Sequence, residues 1–84
     1  MGHITLEVLD LPAAFMLVSI KPGMDTIVLN HLKTADITEI YQVFGLYDII
    51  VKTTEQDEME QIEEIVSSIR QLEGITKTVT MLVR

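Results

Sequence analysis

Two periods of apolar residues alternate along the chain. Ala13 to Lys21 is almost unbroken apolar sequence and short, which suits a buried strand. Pro22-Gly23 breaks it. From Asp25 to Lys33 the period lengthens: Ile27, Val28, Leu29 and Leu32 form a helical stripe, and Asp25 favours the N-terminal end of a helix. Ile37 to Phe44 returns to a period of two. Ile37, Glu39, Tyr41 and Val43 fall on one side of a strand, and Thr38, Ile40, Gln42 and Phe44 on the other. Gly45-Leu46-Tyr47 is a turn, and Asp48 to Thr54 supplies the second strand of a hairpin. Asp57-x-x-Glu60 resembles a capping box. The helix it opens runs to Leu72, with Met59, Ile62, Ile65, Val66, Ile69 and Leu72 as its apolar stripe, and Gly74 stops it. Ile75 to Val83 is the last strand, with Thr76, Thr78 and Thr80 on one side and Lys77, Val79, Met81 and Val83 on the other. Ahead of all this, residues 1–12 read as a leader. Ile4, Leu6 and Val8 alternate there with Thr5 and Glu7, as in a short strand or arm, and Pro12 ends it.

The order strand, helix, strand, strand, helix, strand predicts an α+β, ferredoxin-like βαββαβ domain over residues 13–84. Four antiparallel strands would carry two helices on one face. The uncovered face should then be polar, yet these strands do not alternate cleanly. Phe15 and Leu17 oppose Met16, Val18 and Ile20; Ile50 opposes Ile49 and Val51; Val79 and Met81 oppose Leu82. Both faces carry large apolar groups, so the sequence predicts at least a dimer, with sheets packed face to face or edge to edge.

Composition sharpens this reading. The chain has 84 residues, is 48% apolar and contains no cysteine. A domain of this size buries only roughly 60% of its unfolded surface, and with disulfides excluded the routes to a sufficient core are metals or association. The net charge of −7 repels phosphate backbones, and direct binding to nucleic acid is not expected. No run approaches the roughly 20 apolar residues of a membrane span, and no basic region precedes an apolar one. The expected location is the cytoplasm.

Candidate chemistry is sparse. His3 and His31 lack a second ligand at metal spacing and read as structural or surface residues. The acids Glu55, Asp57, Glu58, Glu60, Glu63 and Glu64 lack calcium-loop spacing and read as the solvated start and outer face of a helix. Ser67 and Ser68 have no nearby base to activate them. Tyr41 and Tyr47 suit a core or an interface better than proton transfer. There is no glycine-rich phosphate loop, and no cofactor is expected. Glu64 and Ser68 differ from the rest: one turn apart and off the apolar stripe, they can act together on a neighbour or ligand. Gly45-Leu46-Tyr47-Asp48 is the most specific constellation, either as a plain hairpin turn or as something more in combination with Thr78 and Thr80.

The sequence resembles the effector-binding (RAM) domain of the Lrp/AsnC, or feast/famine, regulator family. The residues that carry the resemblance are the apolar strand ending Lys21-Pro22-Gly23, Ile37 through Asp48, Ile49-Ile50-Val51-Lys52, Leu72-Glu73-Gly74-Ile75 and Thr78-Val79-Thr80. The resemblance implies dimers through sheet contacts, rings of dimers such as octamers, and a small effector, usually an amino acid, bound between dimers. It implies a site built from Gly45, Tyr47 and Asp48 with Thr78 and Thr80, and specificity set by Glu64 and Ser68. The family's regulators begin with a helix-turn-helix, for which twelve leader residues do not suffice. A stand-alone, non-enzymatic member that modulates full-length relatives is therefore the expectation. Two readings compete with it. One is a small dimeric monooxygenase or isomerase, which needs a cavity lined by His, Asn or Trp; the chain has no Trp, and Asn30 is its one Asn. The other is a structural partner that co-assembles without ligand.

Overall fold

A computed structural model describes residues 11–83; the leader's expected arm, and His3 with it, lies outside them. The elements are β1 (Ala13–Ile20), α1 (Asp25–Lys33), β2 (Ile37–Gln42), β3 (Ile49–Thr53), α2 (Met59–Arg70) and β4 (Ile75–Val83). The strands pair antiparallel in the order β2-β3-β1-β4. This is the predicted ferredoxin-like βαββαβ sandwich, in which both helices lie on one face of the sheet.

The core lies between that face and the helices. Ala14, Met16, Val18 and Ile20 of β1 and Ile49 and Val51 of β3 meet Val28 and Leu32 of α1 and Ile62, Val66 and Ile69 of α2. Every second residue of the central strands is therefore buried, as period-two patterning requires. Thr53 ends β3 inside this core, and its hydroxyl accepts from the Ala14 N–H at 2.9 Å.

Three local details differ from the sequence expectation. A register shift between Ile37 and Glu39 lets Ile37 and Ile40 both pack on the core, where strict alternation had put them on opposite sides. A bulge has this effect, because one extra residue resets the alternation. Helix α2 starts one residue later than expected, with Glu58 at its N-cap. Gln61, not Glu60, reaches back, its Oε1 accepting from the Glu58 N–H at 3.1 Å. Ile27 of α1 is exposed, because Val28 and Leu32 already fill the contact with the sheet.

The opposite face carries Phe15 and Leu17 of β1, Ile50 and Lys52 of β3, Glu39 and Tyr41 of β2, and Lys77, Val79 and Met81 of β4, as the registers align them. Tyr41, Val79 and Met81 are exposed. Lys52 Nζ sits 5.7 Å from the Phe15 ring centroid, which shields part of that apolar surface. The Tyr41 hydroxyl donates to Glu39 Oε1 at 2.7 Å. That bond, reinforced by the carboxylate charge, raises the Tyr41 pKa.

Candidate functional site

The hairpin between β2 and β3 folds back over the end of β1. Val43 N–H donates to the Asp48 carbonyl at 3.0 Å, and Asp48 N–H donates to the Val18 carbonyl at 2.9 Å. The Asp48 carboxylate then accepts from the Ile20 N–H at 2.6 Å. The β1–β3 ladder ends at Val18 and Ile49, so the Asp48 side chain replaces a ladder partner for Ile20, as buried donors require. Ser19 Oγ donates to the Leu46 carbonyl at 3.2 Å, and Lys77 Nζ lies 5.6 Å from the Tyr47 ring centroid. Gly45 sits at φ 141°. Phe44 and Leu46 flank it almost fully in solvent, at 105% and 89% relative exposure, which sets them apart from every buried aliphatic in the core. Beneath the hairpin, Asp48 and Phe44 join Asp25, Leu29 and Gln42 around a cavity of about 270 Å³.

Glu64 and Ser68 lie one turn apart on α2, and Ser68 Oγ donates to the Glu64 carbonyl at 3.0 Å. They line a groove of about 330 Å³ between the two helices, with His31 and Asp36 across from them and Ile65, Ile69 and Leu72 along it. Asp36 is anchored there by its carbonyl, which accepts from the Thr54 N–H at 2.9 Å.

Thr78 and Thr80 pair with Val18 and Met16, which places them on the helix side of the sheet. Thr80 Oγ1 accepts from Arg70 Nη2 at 3.0 Å. Together with Glu63, Val66 and Leu82 these two residues line a third groove, about 390 Å³, between α2 and β4.

One chain thus separates the residues singled out in the sequence into three groups. Asp48 belongs with Gly45 and Tyr47 in the hairpin, Glu64 and Ser68 lie between the helices, and Thr80 lies under Arg70. Asp36 and Arg70 are not among the residues singled out; His31 reads in the sequence as a structural or surface residue, and Asp25 as the start of a helix. His31, Asp36 and Asp25 reach these grooves from elements distant in sequence, and no local spacing signals that. Among the described residues no three His, Cys, Asp or Glu side chains converge as a metal site, and no helix is long and apolar enough to cross a membrane.

The Lrp/AsnC ligand binding domain matches residues 13–84. The HTH-type transcriptional regulator FL11 of Pyrococcus furiosus is 37% identical over 73 residues, which cover 83% of this chain and 46% of the regulator. The chain therefore spans about half the length of that relative. The crystal structure of FFRP-DM1 superposes with a TM-score of 0.76 at 32% identity, covering 84% of this chain and 96% of that one. The fold alone is shared with the transcriptional regulator NMB0573 of Neisseria meningitidis, solved as a complex with L-Met. There the TM-score is 0.71 at 17% identity, over 100% of this chain and 57% of that one. A family match from the first core strand to the C-terminus, on a sheet of the predicted topology, shows that this chain belongs to the Lrp/AsnC ligand-binding domain family.

Proposed function

We propose that the chain is an effector-sensing regulatory module that binds a free amino acid at a site completed by a second copy. The observation that carries this reading is the separation of the hairpin, Glu64 with Ser68, and Thr80 into three solvent-open grooves. No one of them encloses a ligand, so a site that joins them draws residues from two chains. The exposed apolar sheet face is the surface through which copies assemble, first as dimers and then as rings of dimers such as octamers. The same face allows co-assembly with full-length relatives that carry a DNA-binding domain.

An amino acid brings an ammonium and a carboxylate, and each needs a partner when it leaves water. Asp48 uses one carboxylate oxygen on Ile20, and its second oxygen accepts from the ammonium. The space around the Gly45 Cα is open, with nothing within 4 Å of an added Cβ, so a carboxylate approaches the backbone N–H groups there. Tyr47 walls the hairpin side. Thr78 and Thr80 offer hydroxyls. The L-Met complex of NMB0573 supports an amino acid as the ligand class.

The test is calorimetry and thermal melting of the oligomer against the amino acids, on the wild type and on Asp48→Asn. Asparagine keeps an acceptor for the Ile20 N–H and removes the charge. We expect at least one amino acid to raise the melting temperature of the wild type by mass action. Asp48→Asn should then bind about tenfold to a hundredfold more weakly while it melts close to the wild type. Silence from every amino acid at millimolar concentration sinks the proposal. Unchanged affinity in Asp48→Asn removes Asp48 from the site.

A further inference from the structure

We infer that Glu39 of one copy meets Lys77 of a second copy across the sheet-to-sheet contact, and that this pair sets how two copies are oriented and which chains are accepted as partners. The inference rests on the assembly through the sheet face proposed above and names the residues that steer it.

The strand registers lay the outer face out as a grid. One row crosses the sheet from Glu39 on β2 through Lys52 and Phe15 to Met81 on β4. Two residues along the strands, Tyr41, Ile50, Leu17 and Val79 form the next row. Two residues further, Ser19 stands beside Lys77. Glu39 and Lys77 therefore occupy diagonally opposite corners, and the surface between them is mostly apolar. Four residues along the strands and three strand spacings across them separate these corners, about 14 Å in each direction. A patch so nearly square can be laid on its own copy about a two-fold axis along the other diagonal, the one through Met81. That operation crosses the strands of the two sheets at roughly a right angle, which is one of the two ways sheets pack face to face. It sets Glu39 over Lys77 of the second copy and, by symmetry, Lys77 over Glu39 of the second copy. An axis parallel to the strands would instead set Glu39 over Met81 and bury its charge unpaired, which is costly.

Both charges are held at their corners. The Tyr41 hydroxyl donates to Glu39 Oε1 at 2.7 Å, which fixes one carboxylate oxygen and leaves the other to a cation. Lys77 Nζ lies 5.6 Å from the Tyr47 ring centroid. Lys52 is the register neighbour of Glu39, but its ammonium leans inward over Phe15. The overall charge points the same way. The registers place two bases and one acid on this face, in a chain of thirteen acids and six bases. A second acidic copy can approach such a face without the like-charge repulsion it meets elsewhere.

The experiment is sedimentation over a concentration series, with Glu39→Lys and Lys77→Glu made singly and together. By symmetry each single change turns two attractive contacts into repulsive ones, so each should weaken pairing about a hundredfold. The double exchange should pair within about threefold of the wild type. The two single variants, mixed in equal amounts with one chain isotope-labelled, should form a mixed pair in native mass spectrometry, because each then offers the charge the other lacks. Glu39→Lys is the decisive arm. It makes the chain less acidic, so general repulsion alone would tighten pairing, whereas loss of the corner contact loosens it. Unchanged or tighter pairing in Glu39→Lys overturns the inference and leaves assembly through the sheet standing. So does a weakening that neither mixing nor the double exchange repairs. A wild type that sediments as a single chain overturns the inference and the sheet assembly together.

Discussion

At the scale of residues, single atoms separate positions that look alike in the sequence. Gly45 and Gly74 both have positive φ, 141° and 96°. A Cβ at Gly45 meets nothing within 4 Å, whereas one at Gly74 lands 2.9 Å from Met24 Cβ and 2.9 Å from Val28 Cγ2. The carbonyl of Gly74 also accepts from the Lys21 N–H at 2.7 Å, which ties the end of α2 to the turn before α1. Alanine at Gly45 should cost about 1–2 kcal/mol of backbone strain, and alanine at Gly74 roughly twice that, because steric crowding adds to the strain. Urea melts of both variants check the order; equal losses would contradict it. Thr53 is a second case. Valine there keeps the shape and strands the Ala14 N–H in the core, at a cost of about 1–3 kcal/mol. A Thr53→Val melt matching the wild type would show that the Ala14 N–H finds another partner. Asp48 is the instructive residue for the site. Its place beside a glycine turn was legible in the sequence, but its bond to Ile20 was not, because the partner lies in another strand.

At the scale of elements, periodicity sufficed for all six. Their apolar spacing survives in the burial of Met16, Val18, Val51, Ile62 and Ile69. The details that escaped have local causes. The bulge in β2 depends on how Thr53 and Lys52 pair with it, and β-branched residues on both sides hide it from any count of alternation. The cap moved by one residue because Glu58 and Gln61 make the capping box that Asp57 and Glu60 also offered. The grooves were half legible. Glu64 and Ser68 show on a helical wheel, but His31 and Asp36 join them only when α1 docks beside α2. The hairpin yields a prediction of its own. Phe44 and Leu46 contribute little to the subunit's core, so a Phe44→Ser, Leu46→Ser variant should melt within about 0.5 kcal/mol of the wild type under conditions that keep both monomeric. A larger loss would place the two side chains in the fold. At assembling concentrations the same variant should form smaller particles in light scattering, because two large apolar groups held in water are characteristic of a contact between copies.

At the scale of the whole molecule, the acidic charge and the apolar sheet face decide behaviour in solution. Light scattering at micromolar concentration should give a multiple of the 9.5 kDa chain mass. Val79→Asp with Met81→Asp should reduce it to one chain, since two like charges on that face would have to leave water unpaired. A stable monomer in the wild type would refute the reading of that face. Random duplex DNA at physiological salt should give no gel shift with this chain alone, because a net charge of −7 opposes the counterion release that drives such binding. A salt-sensitive complex would contradict this. The pairing of β1 with β4 has one more consequence. Ala13 lies opposite Val83, so β1 receives its second neighbour only when β4 leaves the ribosome. Until then β1 is an edge strand bearing AAFMLVSI, an apolar segment of the kind that templates aggregation. During synthesis β1 is thus exposed until β4 emerges, and a nascent chain halted before Ile75 is the form that chaperones should be found holding.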